Sequence, residues 1–519
     1  MARNINNSVI AMFPSTIPTQ ANKLTLMVKK MSPQKNQLST SLEDILKFAN
    51  RYSLGSEKGE GSKHFLRIKI PNGILTTQQF RKIADLSEKH GRKYTEITDR
   101  QDIQLHWIEA DEGPTIFAQL QELGFTTDRC GQGYPGVGHG DVRNIEGCPV
   151  AGVDKDELID TSPMAKELDE FFSGNKDFED LPKKFKISIS GCCLNCPSPE
   201  AYDLSFMALK KPSGKVGFIV FVGGTLGSQP KIAQQLNVFV EPELVVDFAK
   251  AVVEIFRDTG RREEKAKSRF RWLVEEWGTD KLRLAIEEKL EKTLEPYELE
   301  RLNIKQAEHI GVNPQKQKGL FYVNMPILGG VLNADLMREI AKIADEYGSG
   351  DVRLTPYQNL IIINIPKQHL NSVAGRLKQL GFPINGSALR WTTIACAGNF
   401  CAKAPEAPKQ RAKEVIDYLE QSGKNFSPNL RIGLSGCPNG CSRHLLADIG
   451  LQGVHSSVDG KPAATYNLFI GGALAPVSAL GKLDKQGVKA EEVKLEVEKT
   501  VTLHANKTIE PSNQNMKSR

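Results

Sequence analysis

Four cysteines in two local pairs, Cys396-x4-Cys401 and Cys437-x3-Cys441, are the residues with the clearest chemistry. Four thiolates drawn from two such pairs can hold one tetrahedral zinc or one [4Fe–4S] cluster, or can be buried structural thiols. Zinc ligands usually pair through tight two-residue knuckles. Gaps of three and four residues suit the wider spread of a cubane's irons, so a cluster is the preferred reading. SGCPNGC (435–441) puts Cys437 just before a proline. That fits the first turn of a helix, whose amides would stabilise thiolate charge. A similar run, SGCCLNC (190–196), gives Cys192 and Cys196 the same spacing, but Pro197 and Pro199 follow it and no C-x4-C pair precedes it. Cys130, Cys148, Cys192, Cys193 and Cys196 therefore read as remnants of a duplication or local thiols, with a second cluster as the alternative. Cys148, in GCPVAG (147–152), is the one expected near a pocket.

The elements that must position these residues occur twice. TEITDRQDIQLHWI (95–108) matches RLTPYQNLIIINI (353–365), with Thr98 over Thr355 and Gln101 over Gln358. FRKIA (80–84) lies over MREIA (337–341), FAQLQELGF (117–125) over AGRLKQLGF (374–382), and KISISGCCLNC (186–196) over RIGLSGCPNGC (431–441). Asp203 falls over Asp448 and FVGG (221–224) over FIGG (469–472). Shared order at near-constant offset indicates duplication. Each copy reads strand, amphipathic helix, tight strand pair, helix and cysteine region, which predicts α+β, ferredoxin-like half-domains in a pseudo-twofold pair.

On these motifs, with DVRN (141–144), LPKKFK (181–186) and LTPYQN (354–359), the chain resembles the assimilatory sulfite and nitrite reductases from about residue 60 to 475. The resemblance implies two cofactors, sirohaem and a [4Fe–4S] cluster held by Cys396, Cys401, Cys437 and Cys441. It also implies that Cys441 bridges the cluster to the sirohaem iron as axial ligand, and that Arg100, Arg143, Lys184 and Lys186 face the substrate. An oxyanion pocket of that kind needs fixed hydrogen-bonding cations. The spacing adds support: if KFKIS is a strand, Lys184 and Lys186 share one face and Phe185 the other. In the second copy Tyr357 replaces Arg100, so one copy is expected to supply the cations and the other the cluster.

In this family Lys-x-Lys looks like the sulfite type, whereas DVRN and DELIDT (156–161) look more like the nitrite branch. The expectation is six-electron reduction of sulfite to sulfide, with nitrite to ammonia as the alternative and a non-catalytic iron–sulfur electron-transfer protein as a remoter one. GQGYPG (131–136) fits G-x-G-x-x-G but opens no helical pattern, so no nicotinamide site is read there. No flavin or NADPH domain is apparent, and ferredoxin is the expected donor. Lys403, Lys409, Arg411 and Lys413 read as a solvated helix face, with ferredoxin docking as the alternative; His106, His139 and His444 read as structural or surface residues.

The composition fits this picture: 519 residues, 39% hydrophobic, 25% charged, net charge +6. No nucleic acid and no membrane are expected as partners, and a monomer is. An odd count of nine cysteines without a secretory signal points to a reducing, cytoplasmic setting. A plastid or other organelle is the alternative, because residues 1–42 contain no acidic residue. The expected divisions are residues 1–40, a disordered tail or targeting segment, then 41–128, the first half-domain, and 129–255, the first sirohaem-binding domain with the substrate cations. Residues 256–315 form a helical connector, 316–388 the second half-domain, 389–484 the cluster and sirohaem domain, and 485–519 a polar tail.

Overall fold

A computed structural model describes residues 49, 52–57, 63–127, 140–192, 196–227, 229–298, 309–397, 401, 403–458, 461–474 and 478–507. The expectations placed on residues 1–40, GQGYPG, His139, Cys130 and Cys193 lie outside the described residues.

The duplicated unit forms two small sheets that share strands. In the first, Lys63–Lys69, Ile103–Glu109 and Tyr94–Ile97 run antiparallel, and the next neighbour is Val331–Asn333 from the second copy. In the second, Leu320–Met325, Leu360–Pro366 and Asp351–Leu354 are completed by Ile74–Thr76 from the first copy. Helices Thr77–His90 and Ala334–Tyr347 lie side by side on these sheets, tied by Arg338 to Asp85 and Arg81 to Asp345. Apolar residues of both copies fill one core, among them Leu66, Phe80 and Leu105 with Val323, Ile340 and Leu360. Each copy thus buries its sheet only with the other's strand in place.

Two larger sheets follow, built alike. Glu146–Gly147, Ile187–Ser190 and Leu204–Lys210 run parallel, then Val216–Val222 and Gln234–Val240 turn antiparallel. Thr393–Ala395, Ile432–Ser435 and Ile449–Val458 repeat the parallel part, and Lys461–Ile470 and Lys482–Lys489 the antiparallel part. Helix Val245–Thr259 covers the first sheet, and Val493–Lys507 occupies the same place in the second.

Residues 485–507 are therefore no polar tail. The strand Lys482–Lys489 is an edge whose side chains are almost all exposed, which removes the alternation a strand normally shows. Val493, Val497, Thr500 and Val501, along one face of the last helix, are buried. Ending the chain at residue 484 is expected to lower thermal stability sharply, since each buried valine contributes about 1.5–3 kcal/mol. An unchanged melting temperature would contradict that packing. The presumed connector is also structural. Helix Phe270–Leu290 buries Phe270, Leu273, Val274, Leu282 and Ile286 in the first large sheet's core.

Two glutamines lock the four sheets together. Gln101 Nε2 donates to Leu354 O of the other copy (2.8 Å), and Gln101 Oε1 accepts from Gly147 N (3.0 Å). Gln358 mirrors it, donating to Ile97 O (3.2 Å) and accepting from Ala395 N (3.0 Å). Both hold left-handed backbone, φ 57° and 63°.

Candidate active site

The site is assembled from the turn that each half-domain places against its cysteine sheet. Thr98 Oγ1 accepts from the amides of Arg100 and Asp102, both at 3.2 Å, closing a tight turn with Arg100 at its tip. Thr355 Oγ1 does the same for Tyr357 and Asn359 at 3.2 and 3.0 Å. Asn144 Nδ2 donates to Arg100 O (2.9 Å) and Ile70 O (2.8 Å), so the DVRN segment is fastened to the turn that carries Arg100. The Arg143 amide donates to Phe185 O at 2.8 Å, and Val142 pairs with Phe185 in a parallel bridge. Phe185 is fully buried in the core while Lys184 and Lys186 are half-buried on either side of it, the alternation that the spacing predicts.

Two of the four predicted cations, Lys184 and Lys186, act on the Cys441 thiol. Burial pushes the Lys184 ammonium down to about 7, and Arg269, Lys186 and Arg143 push the same way against the opposing pull of Cys441. Burial also lowers Lys186; Asp99 opposes this, while Arg100 and Arg269 add to it. The Cys441 thiol is raised by burial and lowered by Lys184 and Lys186. Lys184 and Lys186 thus act on Cys441 directly, while Arg143 acts on Lys184 and Arg100 on Lys186.

Several neighbours went unnoticed in the sequence. Arg269, on the supposed connector, donates to both oxygens of Asp203 at 3.0 and 2.8 Å, and Asp203 Oδ2 also accepts from the Lys186 amide. In the second copy Arg431 stands where Lys186 does and is itself engaged by Asp448 at 3.0 Å. The connector arginine therefore takes over the aspartate, and the Lys186 side chain points instead towards the Tyr202 ring at 5.7 Å. The connector has no counterpart in the repeat, so no pattern pointed to Arg269. Arg443 Nη2 donates to Glu146 Oε2 (3.0 Å) and Tyr202 OH (2.9 Å), and Tyr202 OH donates to Glu146. Burial pushes the Glu146 carboxyl up to about 7 despite Arg443. Position alone, two residues after SGCPNGC, was the signal for Arg443.

The quartet spans two strand ends. Cys396 follows strand Thr393–Ala395, and Cys437 and Cys441 follow Ile432–Ser435. Gly436 N donates to Cys396 Sγ at 3.1 Å. Burial raises the Cys396 thiol well above its ordinary value, and Cys441, Cys401 and Cys437 raise it further. Cys437 does not open a helix. The segment is a turn clamped by Ser435 Oγ, which accepts from Ser442 N at 3.3 Å, and a 3-10 turn comes only at His444–Leu446. Gly440 (φ 65°) lets this turn approach Leu226, whose carbonyl oxygen would lie 2.1 Å from a β-carbon.

Two bonds of about 2.3 Å can hold thiolates of one zinc no more than about 4.6 Å apart. Among the described residues no three thiols of the quartet lie within 4.8 Å of one another. That spread fits the several irons of a cubane. Of the four, Cys441 is the thiol on which both Lys184 and Lys186 act.

Lys409 departs from the expected solvated helix face. It is 5% exposed, ion-paired with the buried Glu96 at 3.2 Å and donating to Gly329 O. Arg411 is largely buried against Glu406 and Glu414, and Lys413 is exposed. His106 and His444 are buried and partnered, by Glu57 and Ser435 respectively.

A doubled ferredoxin-like unit, two matched sheet domains and a cysteine quartet define the class. The model described as "Nitrite/Sulfite reductase ferredoxin-like half domain" matches residues 56–123 and 313–380. The model described as "Nitrite and sulphite reductase 4Fe-4S domain" matches residues 138–294 and 386–518. The chain belongs to the nitrite and sulphite reductase family of oxidoreductases, and its donor set fits that family's sirohaem and [4Fe–4S] cluster. It is 35% identical to a ferredoxin–nitrite reductase of Leptolyngbya laminosa over 83% of this chain and 84% of the relative. It is 31% identical to "Sulfite reductase [ferredoxin] 1" of Mycolicibacterium paratuberculosis, over 84% and 79%. The solved Mycobacterium tuberculosis NirA protein superposes with a TM-score of 0.83 at 26% identity, covering 95% of this chain and 93% of NirA. Among the described residues no helix is long and apolar enough to cross a membrane.

Proposed function

We propose that this chain is a ferredoxin-dependent nitrite reductase that takes nitrite to ammonium with six electrons and eight protons, releasing two waters. Similarity to ferredoxin–nitrite reductases over more than four fifths of the chain is the observation that carries the reading. Cys396, Cys401, Cys437 and Cys441 would hold the [4Fe–4S] cluster, which with sirohaem would supply the electron store and the redox-active iron. The chain's own contribution is the pocket. Arg100 and Arg143 donate hydrogen bonds to the oxyanion from rigid, backbone-anchored turns, and Lys184 and Lys186 add ammonium donors that also carry transferable protons.

Lys186 is the residue that argued for sulfite, the more highly charged anion. Asp99 and Glu146 both act on Lys186, so its added positive charge is partly offset. That weakens its preference for a dianion and supports nitrite as principal substrate. Sulfite remains the second reading, favoured by the Lys-x-Lys spacing itself.

Purified holoprotein is expected to show a haem-like Soret band with a cluster shoulder, and a kcat/KM with reduced ferredoxin at least tenfold higher for nitrite than for sulfite. A higher value for sulfite would reverse the assignment, and absence of both bands would remove it. Lys186→Asn is expected to raise the nitrite-to-sulfite ratio further; an unchanged ratio would take Lys186 out of substrate selection.

A further inference from the structure

The first copy of the repeat has its own three-cysteine cluster, in register with the quartet. Gly147 pairs with Ile189 in the first large sheet, and Ala395 pairs with Leu434 in the second. Ile189 and Leu434 occupy the same place before their cysteine turns, so Cys148 stands where Cys396 stands. Cys192 and Cys196 likewise stand where Cys437 and Cys441 do. The sequence concealed the first of these matches, because Cys148 and Cys396 lie at an offset three residues longer than the other two pairs.

The ligand geometry differs from that of the quartet. Cys148, Cys192 and Cys196 are all buried. His309, which directly precedes the second half-domain's first strand region, brings Nε2 to 3.2 Å from Cys196 Sγ and 3.8 Å from Cys148 Sγ. The ligand atoms of Cys148, Cys196 and His309 all lie within 4.8 Å of one another, and the Cys148 thiol is also hydrogen-bonded to Cys192. Three ligand atoms gathered this closely suit one ion, with Cys192 within reach beside Cys148 as the fourth. His309 Nδ1 pairs with Tyr322 OH at 2.8 Å, leaving Nε2 aimed at the sulfurs, as the outer partner of a ligating histidine does. His309 also holds left-handed backbone, φ 51°, a strained conformation for a side-chain-bearing residue. Arg353, buried and in electrostatic contact with Cys148, can balance the net negative charge that three thiolates would leave on a divalent ion.

We infer that Cys148, Cys192, Cys196 and His309 form a second, mononuclear metal site that takes a divalent zinc ion in tetrahedral Cys3His coordination. The three thiols release their protons to solvent as the ion binds, and His309 ligates as the neutral imidazole through Nε2. The duplication has thus left a metal in both copies, a redox cluster in the second and a structural ion in the first. The ion fastens the first cofactor domain to the second half-domain, anchoring the GCPVAG segment just after Arg143.

The test is elemental analysis of the holoprotein, produced in zinc-supplemented medium and freed of loosely bound metal by chelator. The expected content is about one zinc per chain besides the cofactors' iron. Cys196→Ser is expected to lose most of the zinc and keep the iron, and Cys401→Ser to lose cluster iron and keep the zinc. Should Cys196→Ser fail to fold, X-ray absorption at the zinc edge of the unaltered protein decides. Three sulfurs at about 2.3 Å and one nitrogen at about 2.0–2.1 Å are expected. Zinc absent from the unaltered protein, a shell of oxygen and nitrogen alone, iron in its place, or a disulfide among these cysteines would overturn the site. None of those results bears on the nitrite reading, which rests on rates and on the Soret band.

Discussion

Lys184→Ala is expected to lower kcat/KM for nitrite by about 10²–10³-fold, the range seen when one preorganised donor is taken from a developing anion. Lys184 lies where the first copy's cations meet the second copy's Cys441, and Arg269, Lys186 and Arg143 crowd it. Such crowding is unfavourable without an anion and is relieved by one, so the lysine should contribute more when the anion is bound. Lys183 is the control. It sits next in sequence, half-buried, and is lowered by burial and by Arg269, Lys265 and Lys403, with no pull from Cys441. Lys183→Ala should cost less than tenfold. Both variants should keep the Soret band, since neither replaces a cysteine. Equal losses in the two variants would show that general positive potential matters and the position of Lys184 does not.

Lys409→Met is expected to destabilise the protein by about 3–5 kcal/mol, the cost of removing one partner from a buried ion pair. Burial alone would raise the Glu96 carboxyl, yet Lys409 and His106 overcome it and hold it down to about 2. Tyr94 OH donates to Glu96 at 2.8 Å, and His106 lies between Glu96 and Glu57. A carboxyl depressed on folding adds stability that is complete above its ordinary value near 4.5 and is lost as pH falls towards 2. The gap between parent and variant in denaturant unfolding should therefore be full at neutral pH and close progressively below about 4.5. His106, raised on folding by Glu96 and Glu57 against burial, contributes most below about 6.5 and less as pH rises, so the acid window isolates Glu96. Lys409→Met combined with Glu96→Gln should recover much of the loss; no recovery would place the effect elsewhere, in the contact with Gly329.

Much of this protein was legible before any coordinates. The duplication came from aligned short runs, and Thr98 with Thr355 and Gln101 with Gln358 proved to be the residues that shape and dock the turns. The alternation in KFK was enough to put Phe185 in a core and two lysines on the other side. The edge strand Lys482–Lys489 escaped because an exposed edge has no period-two pattern to read. Lys409 escaped because a lysine bears no mark of the carboxylate it will meet, and Glu96 lies more than 300 residues away in the chain.

The sequence by itself determined the repeat, the α+β class and the cysteine quartet with its cluster-like gaps. All of these are local or periodic, and so are written in spacing. Only the tertiary structure decided that the halves exchange strands and that Arg269 takes Asp203 from Lys186. It alone placed Cys148 and Cys196 around His309, with Cys192 bonded to Cys148. Those outcomes depend on which distant surfaces are buried against each other, and a buried charge or thiol acquires its partner only when the chain closes.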